Sequence, residues 1–187
     1  MHIRYVPYEP DQRQALIDFI AADRYPFNGV PQPTKEQAAS WIDSGIYAEW
    51  FWLLAASEPV DMMHYQDASD IHAEVHLRLH TPYRGQGPGT AALRWLSAHL
   101  FRTYPVKHRI EGWTRVDNIA MRHVFHNCGY VKEAQLCRDF PVEDGSYPDK
   151  VGYGLLRTDW ETGATTPIID GLTRRKEHNT AVRPESQ

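Results

Sequence analysis

Apolar and polar residues alternate without interruption over residues 71–80. The odd positions are apolar, and the polar face contains His72, Glu74, His76, Arg78 and His80. A repeat of two residues is typical of a β-strand with one buried face. Further along, apolar residues recur at the spacing of an amphipathic helix, at Ala92, Leu93, Leu96 and Leu100. The chain is therefore predicted to change from strand to helix between these two segments.

The same periodicities predict eleven elements in the order β-α-α-β-β-β-α-β-α-β-β. They cover residues 3–6, 11–23, 34–45, 49–57, 59–67, 71–80, 89–101, 108–116, 117–129, 130–140 and 151–160. Capping boxes are expected to begin the first two helices, from Asp11 with Gln14 and from Thr34 with Gln37. Gly129 is placed to end the last helix. This order predicts one mixed α/β domain with a central sheet over residues 1–160, followed by a tail over 161–187.

Charge and cysteine content narrow the class of protein. The formal net charge is −4, and the longest cluster of Lys and Arg is residues 174–176, which argues against a nucleic-acid partner. Cys128 and Cys137 form neither a C-x-x-C pair nor a disulfide framework, so a reducing, cytoplasmic setting is expected. The chain has no apolar run of about 18 residues, and no membrane partner is expected.

The segment HTPYRGQGPGT, residues 80–90, links the alternating strand to the following helix. Glycines before a helix allow positive φ and close approach of an anion to unpaired backbone N–H groups. Pro88 has no N–H, but its fixed φ suits a first helical turn. Arg84 could add a side-chain contact to phosphate. The predicted amide donors to a pyrophosphate are Gly85, Gln86, Gly87, Gly89 and Thr90.

Two familiar nucleotide-binding loops do not fit this segment. A P-loop requires Lys followed by Ser or Thr after its glycines, and a dinucleotide fingerprint requires its third glycine one residue later than Gly89. The pattern that fits is R-x-x-G-x-G, from Arg84 to Gly89. The alternative is a loop that is glycine-rich only to make a tight turn.

Three motifs together resemble the GNAT superfamily of N-acetyltransferases. Residues 77–93 are similar to its acetyl-CoA pyrophosphate motif, and residues 117–134 to its second signature, in which Asn118 begins a helix that ends in Gly129 and Tyr130. Residues 144–160 resemble the closing hairpin of the branch containing ribosomal-protein N-terminal acetyltransferases. The resemblance covers roughly residues 3–160. It implies an α/β domain with a mixed, mostly antiparallel central sheet flanked by helices.

The resemblance also implies acetyl-CoA as co-substrate and an amine acceptor beside strand 71–80. Main-chain groups around Leu77 and Leu79 would hold the pantetheine arm and polarise the thioester carbonyl. Asn118 would form a hydrogen bond near the cofactor; the alternative is a plain helix N-cap. Glu74 is the candidate general base, and His76 is the second choice. Glu74 could instead be an exposed strand carboxylate paired with Arg78.

One position departs from the family pattern. Many members have a Tyr seven residues after the motif Asn, where it protonates the leaving thiolate, but this chain has Phe125. The branch with ribosomal-protein acetyltransferases often lacks this Tyr too, so water could serve as the acid; Tyr130 and Tyr153 are other donors. The alternative function is a non-catalytic acyl-CoA sensor or regulatory domain.

The acceptor and the metal content are the remaining expectations. Asp23, Asp43 and Glu49 could pair with a second cationic group of the acceptor, which slightly favours a small cationic amine over a peptide N-terminus; the aromatic candidates for cation–π contacts are Trp41, Tyr47 and Trp50. Assembly as a homodimer is left open. No metal is expected, because His72, His76 and His80 recur every four residues along a strand, about 13 Å apart.

Overall fold

The computed structural model describes residues 3–67 and 69–169. Within these residues the strands, numbered β1 to β7, span Ile3–Pro7, Tyr47–Ala55, Glu58–Gln66, His72–Leu77, Arg109–Arg115, Val131–Leu136 and Lys150–Leu156. The α-helices, numbered α1 to α5, span Arg13–Ala21, Lys35–Asp43, Pro88–Thr103, Ile119–Asn127 and Arg157–Thr162. Short 3₁₀ turns occupy Pro10–Gln12 and Thr81–Tyr83.

The strands form one sheet in the order β1-β2-β3-β4-β5-β7-β6. Every neighbouring pair is antiparallel except β4 and β5, which are parallel. The predicted fold class is therefore confirmed, and the predicted elements occur in the predicted order. The prediction was wrong at residues 157–160, which begin α5 and do not continue β7. There the Arg157 side chain donates to three backbone carbonyl groups, those of Phe101, Tyr104 and Lys107.

Both faces of the sheet are covered. Strand β2 was predicted from its continuous apolar run to be buried on both sides, and Trp50 to Leu53 are all at most 7% exposed. Helix α3 packs its apolar stripe, which includes Leu93 and Leu96, on one face. Helices α1 and α2 pack on the other face, against Trp50, Trp52 and Met62.

The structure confirms one of the two predicted capping boxes. The Thr34–Gln37 capping box is confirmed, since the Gln37 N–H donates to Thr34 Oγ1 and the Thr34 N–H donates to Gln37 Oε1. The Asp11–Gln14 box was wrong. The chain turns earlier, in the 3₁₀ turn, where the Glu9 N–H donates to Gln12 Oε1 over 3.1 Å. Gly129 ends α4 at a φ of 83°.

Strands β4 and β5 pair only at their beginnings. Residues 72–74 align with 109–111, and beyond them the two strands separate. The other edge of β4 remains paired with β3, because the Arg78 and His80 N–H groups donate to the carbonyl groups of Met62 and Val60. The gap between β4 and β5 opens toward the N-terminus of helix α4, because Leu77 and Leu79 line the same cleft as Asn118. The candidate functional residues lie around this gap.

None of the helices in residues 3–67 and 69–169 is long and apolar enough to cross a membrane. The predicted boundary between domain and tail falls inside α5, which ends at Thr162. Residues 163–169 have no regular secondary structure, and the rest of the predicted tail, 170–187, lies outside the described residues. The division into domain and tail stays a prediction.

Candidate active site

The glycine loop has the backbone conformation expected of an anion-binding turn. Gly85 and Gly87 have φ values of 75° and 96°, in the region that favours glycine. Gly87 is the N-cap of α3, and Pro88, whose φ was predicted to suit a first helical turn, is its first residue, one position before the predicted start. A Cβ atom at Gly85 or Gly87 would have no heavy atom within 4 Å, so the space in front of this helix N-terminus is open. The first turn of α3 thus presents unpaired N–H groups to an open surface.

Arg84 braces this loop in the structure. Its Nε donates to the Leu79 carbonyl over 2.9 Å, and its Nη2 donates to the Arg24 carbonyl over 2.7 Å. Nη2 also lies 3.4 Å from Asp23 Oδ2. Gln86 is exposed, and its side chain donates to the Pro82 carbonyl. Phosphate contacts by Arg84 and by the Gln86 amide stay predictions.

A cleft of about 390 Å³ runs from the glycine loop toward the gap between β4 and β5. Most of the residues predicted to bind the cofactor line it: Leu77, Leu79, Arg84, Gly85, Gly87, Gly89, Thr90 and Asn118. Because the N–H groups of Arg78 and His80 point to β3, those of Leu77 and Leu79 point the opposite way, to the side where β5 has separated. These two amides are therefore suitably oriented to donate to a thioester or pantetheine arm.

Asn118 serves as the N-cap of α4. Its Oδ1 accepts from the Met121 N–H over 3.2 Å, and its Nδ2 donates to Thr114 Oγ1 over 2.9 Å. Asn118 therefore caps the helix, as the alternative interpretation proposed. Because Asn118 also lines the cleft, its predicted hydrogen bond near the cofactor stays open to test.

A second cleft, of about 330 Å³, adjoins the first. Both are lined by Phe27, Asn28, Leu77, Asn118 and Met121. The second cleft alone is lined by Glu74, His76, Arg78, Tyr47, His64, Trp113, Phe140 and Lys150, among others. The candidate base and the candidate cofactor site therefore open onto one shared region beside Leu77. We call the first the cofactor cleft and the second the acceptor cleft.

Glu74 and His76 lie side by side on β4. Glu74 Oε1 is 3.4 Å from His76 Nε2, and the two side chains are 29% and 30% exposed. Burial, followed by the charge of Glu111, raises the pKa of Glu74, while Lys150 opposes the rise. Burial and then the charge of Arg78 lower the pKa of His76 to about 4. Glu74 is thus the stronger base of the two at neutral pH, and His76 is neutral there.

Glu74 is not the exposed partner of Arg78 that the sequence left open. Arg78 packs between two aromatic rings, with its guanidinium carbon 5.2 Å from the Tyr25 centroid and 4.8 Å from the Trp41 centroid. No ion pair joins Glu74 to Arg78 among the ion pairs of the described chain. The carboxylate remains available within the acceptor cleft.

Neither the position of the usual catalytic Tyr nor the two candidate donors, Tyr130 and Tyr153, offers a hydroxyl group to the clefts. Phe125 is 1% exposed and stacks on Tyr153 at 4.8 Å, which agrees with its interpretation as core. The Tyr130 hydroxyl is buried and shares a hydrogen bond with Ser97, and the Tyr153 hydroxyl accepts from Arg122. Neither tyrosine lines the cofactor or the acceptor cleft. Water is therefore the better candidate for the acid.

Asp61 is a residue of the cofactor cleft that was not predicted from the sequence. It is fully buried in β3, lines the cofactor cleft, and accepts the Arg78 N–H at Oδ1 over 2.9 Å. Burial raises its pKa to about 8, against the opposing effects of the Arg78 and Met62 N–H groups and of Arg84. The signal available in the sequence was a lone acidic residue inside the apolar segment PVDMM.

The histidines of β4 separate in space. His80 stacks on Phe19 at 3.6 Å and shares a hydrogen bond with the Phe19 carbonyl, whereas His76 stacks on His64 at 4.6 Å. In the described parts of the chain, no group of three or more His, Cys, Asp or Glu side chains is arranged to hold a metal ion.

The acids predicted to bind a second cation already have protein partners. Asp23 accepts hydrogen bonds from the Thr81 N–H and hydroxyl, and Asp43 accepts two from Arg13. Glu49 accepts from the Tyr104 hydroxyl. None of the three lines the acceptor cleft; Asp43 and Glu49 line a separate cleft that shares only Tyr47 with it. None of the three acids is therefore placed in the acceptor cleft to bind a second cationic group of the acceptor.

Known structures share this fold. A ribosomal L7/L12 alpha-N-protein acetyltransferase in complex with coenzyme A is 18% identical, with a TM-score of 0.71 over 82% of this chain and 93% of that one. A ribosomal-protein-S5-alanine acetyltransferase from Vibrio fischeri is 16% identical, with a TM-score of 0.69 over 86% and 96%. A Vibrio cholerae spermidine N-acetyltransferase in complex with coenzyme A and spermine is 16% identical, with a TM-score of 0.68 over 85% and 98%.

Sequence comparison is more specific than these structural likenesses. No curated protein matches the chain significantly. The acetyltransferase (GNAT) domain matches residues 2–131, which include the glycine loop, the strand with Glu74 and the helix that Asn118 begins. Because this match covers most of the 187 residues, the chain belongs to the GNAT family of acetyltransferases.

Proposed function

We propose that this chain is an acetyl-CoA-dependent N-acetyltransferase whose acceptor is the primary amine of a small molecule. The observation that supports it best is the meeting of two clefts at Leu77, Asn118 and Met121. One cleft ends at a helix N-terminus preceded by glycines, as a pyrophosphate requires. The other contains a half-buried carboxylate, as deprotonation of an amine requires.

Glu74 supplies the base in the proposed reaction. An alkylammonium has a pKa near ~10.4, so the incoming cationic amine must lose a proton before it can attack. Glu74 attracts this cation, and its raised pKa makes it a better proton acceptor than an ordinary carboxylate, directly or through water. Glu74 accepts this first proton and passes it to solvent. The neutral amine then forms the N–C bond at the acetyl carbon, and the second proton that the nitrogen must lose to become an amide passes to Glu74.

The amides of Leu77 and Leu79 stabilise the developing negative charge on the thioester oxygen. The C–S bond breaks as the oxyanion collapses, and the electron pair leaves with sulfur. A free thiol has a pKa of about 8.5, so the thiolate takes its proton from water or leaves as the anion. This route requires no hydroxyl at Phe125.

Contacts between two loops favour a small acceptor over an extended peptide. Arg24 Nη2, in the loop between α1 and α2, lies 2.7 Å from Glu143 Oε2, in the loop between β6 and β7. Arg115 Nη1 donates to the Pro26 carbonyl over 2.9 Å, and its guanidinium lies near Phe27 and Phe140. Phe27 and Phe140 line the acceptor cleft, so these contacts lie along one side of it, where a bound peptide would need space.

An acceptor screen tests the proposal. Thiol release from acetyl-CoA would be followed with small amines, amino acids, and short peptides that have Ser or Ala at a free N-terminus. We expect amine-dependent release with small acceptors. Release with the peptides alone would make the acceptor a protein N-terminus.

The second candidate function is a non-catalytic acyl-CoA sensor, which Phe125 favours because it cannot protonate a thiolate. Stabilisation of the fold by acetyl-CoA, without thiol release for any amine of the screen, would support the sensor.

A further inference from the structure

Arg78 is a cation of the acceptor cleft that has no anionic partner in the described part of the chain. Its side chain forms no hydrogen bond or ion pair with any described residue, and its Nη1 is buried without a partner. Its backbone N–H donates to the Met62 carbonyl and to Asp61 Oδ1, so these contacts do not involve the guanidinium. A buried charge without a partner is costly, and the Tyr25 and Trp41 rings offset only part of that cost.

The surroundings of Arg78 leave its charge uncompensated. Burial, followed by the proximity of His76 and Arg78, holds the pKa of His64 well below its usual value, and burial is also the main cause of the lowered pKa of His76. Both histidines of the cleft are therefore neutral at neutral pH. Lys150 adds a second positive charge, with Nζ 4.9 Å from the Trp113 centroid. Among the described residues that line the cleft, Glu74 is the single carboxylate. The cleft therefore has its carboxylate at one end, at Glu74, where the Lys150 charge offsets part of the negative charge, and the Arg78 cation at the other end.

Spacing along β4 separates the two ends. Glu74 and Arg78 are four residues apart on the same face, so their Cα atoms are about 13 Å apart along an extended strand. His76 lies between them. A ligand that reaches both ends would have its amine several bonds away from its anionic group.

We infer that the acceptor is an amino acid in the broad sense, with a carboxylate that binds the Arg78 guanidinium while its amine lies at Glu74. This inference rests on the proposed function, and it specifies the class of substrate. A guanidinium presents a planar fork of donors that matches a carboxylate, and such pairs combine charge with directed hydrogen bonds. The carboxylate also satisfies donors that the protein leaves unpaired.

Matched acceptors test the inference. The wild-type protein would be assayed with acetyl-CoA and β-alanine, 4-aminobutanoate or 6-aminohexanoate, each compared with its amide, in which the carboxylate is replaced by a neutral group. For at least one chain length we expect kcat/KM to be higher for the acid by about tenfold or more, because a hydrogen-bonded charge pair is lost with the amide. Equal use of acids and amides by the wild type would overturn the inference.

Two variants identify the group responsible. In Arg78→Met, which keeps much of the side-chain length without the charge, the ratio of acid to amide kcat/KM should fall to near one, and Arg78→Lys should keep part of it. Lys150→Met is the matched control and should keep the preference. Loss of the preference in Lys150→Met with retention in Arg78→Met would overturn the assignment.

The stability shift caused by CoA reports whether each variant is folded. If Arg78→Met does not fold, the ratio of acid to amide kcat/KM in the wild type and in Arg78→Lys still tests the inference. If the wild-type protein acetylates the amino acids, their amides and the corresponding decarboxylated amines at equal rates, this inference alone is contradicted. A protein that releases no thiol with any amine contradicts the proposed function itself.

Discussion

At the scale of single residues, environment decides between groups that the sequence ranked only by type. Glu74 and His76 share one face of β4, and a free histidine has the pKa better suited to a base at neutral pH. In the structure, burial and the charge of Arg78 lower the pKa of His76, whereas burial and Glu111 raise that of Glu74. The two residues thereby exchange the order expected from their free values.

Replacing Glu74 by Gln tests its role. If Glu74 accepts the amine proton, kcat should fall by about 100-fold or more, while the stability shift caused by CoA stays near the wild-type value. The acid limb of the wild-type pH–rate profile should lie above the usual range of a glutamate, since the raised pKa requires higher pH for ionisation.

Glu111→Gln is the matched control for Glu74→Gln. Glu111 lies opposite Glu74 in the β4–β5 register, but it binds Arg109 and lines neither cleft. Its loss should lower the pKa of Glu74 and move the acid limb of the pH–rate profile to lower pH, but it should affect turnover at neutral pH much less than Glu74→Gln does. An unchanged pH–rate profile in Glu74→Gln would transfer the role to His76 or to water.

At the scale of elements, the site depends on how β4, α3 and α4 begin and end. The glycine loop turns the chain from the end of β4 into the first turn of α3, and it does so at two positive-φ glycines. Gly89 has an ordinary φ, and an added Cβ there would meet Val124 at 3.7 Å, an unstrained contact. Only two of the three glycines are therefore required by the backbone of the free protein.

This difference predicts the effect of two substitutions on CoA binding. Gly87→Val places a β-branched residue at a φ of 96° and a side chain into the open space before α3, so the CoA-induced rise in Tm should disappear. Gly89→Ala keeps its N–H and should keep most of that rise.

A third substitution separates strain from occlusion at the same position. Asn tolerates positive φ, so Gly87→Asn provides a folded comparison if the valine variant is too unstable. Equal stabilisation of the wild type and Gly87→Val by CoA would exclude this loop as the pyrophosphate site.

At the scale of the whole molecule, the sheet buries ionisable groups that affect stability. Asp61 has an unfolded pKa near 3.8 and a folded pKa of about 8. Between these values the folded state binds more protons than the unfolded chain, so the free energy of unfolding falls as pH rises through this window. The stabilising effect is complete below the unfolded pKa and is lost as pH passes the folded one.

Asp61→Asn removes this titration while it keeps an oxygen to accept the Arg78 N–H. The Tm of the variant relative to the wild type should therefore increase steadily from pH 5 to about pH 8. Asp139→Asn, at an exposed position after β6, is the control for the effect of an Asp-to-Asn substitution itself. Parallel Tm curves for the wild type and Asp61→Asn would contradict protonation of Asp61 in the folded protein.

The sequence by itself determined the order of strands and helices, the double burial of β2, the turn at Gly85 and Gly87, and the family of the domain. The first three of these features depend on side-chain periodicity and on the φ preferences of neighbouring residues, which are local along the chain, whereas the family was indicated by the resemblance of three motifs. Because such signals are local, the sequence predicted that Glu74 and the glycine loop lie on adjoining elements, but it did not predict the clefts between them.

Only the tertiary structure decided the separation of β4 from β5, the conversion of residues 157–160 to helix, and the partners of Asp23, Asp43 and Glu49. It also decided that Arg78 has no anionic partner among residues 3–67 and 69–169, while Asp61 is buried beside its N–H. Each of these outcomes depends on groups far apart in sequence, because burial, charge and hydrogen-bond partners are set by whatever segments pack together.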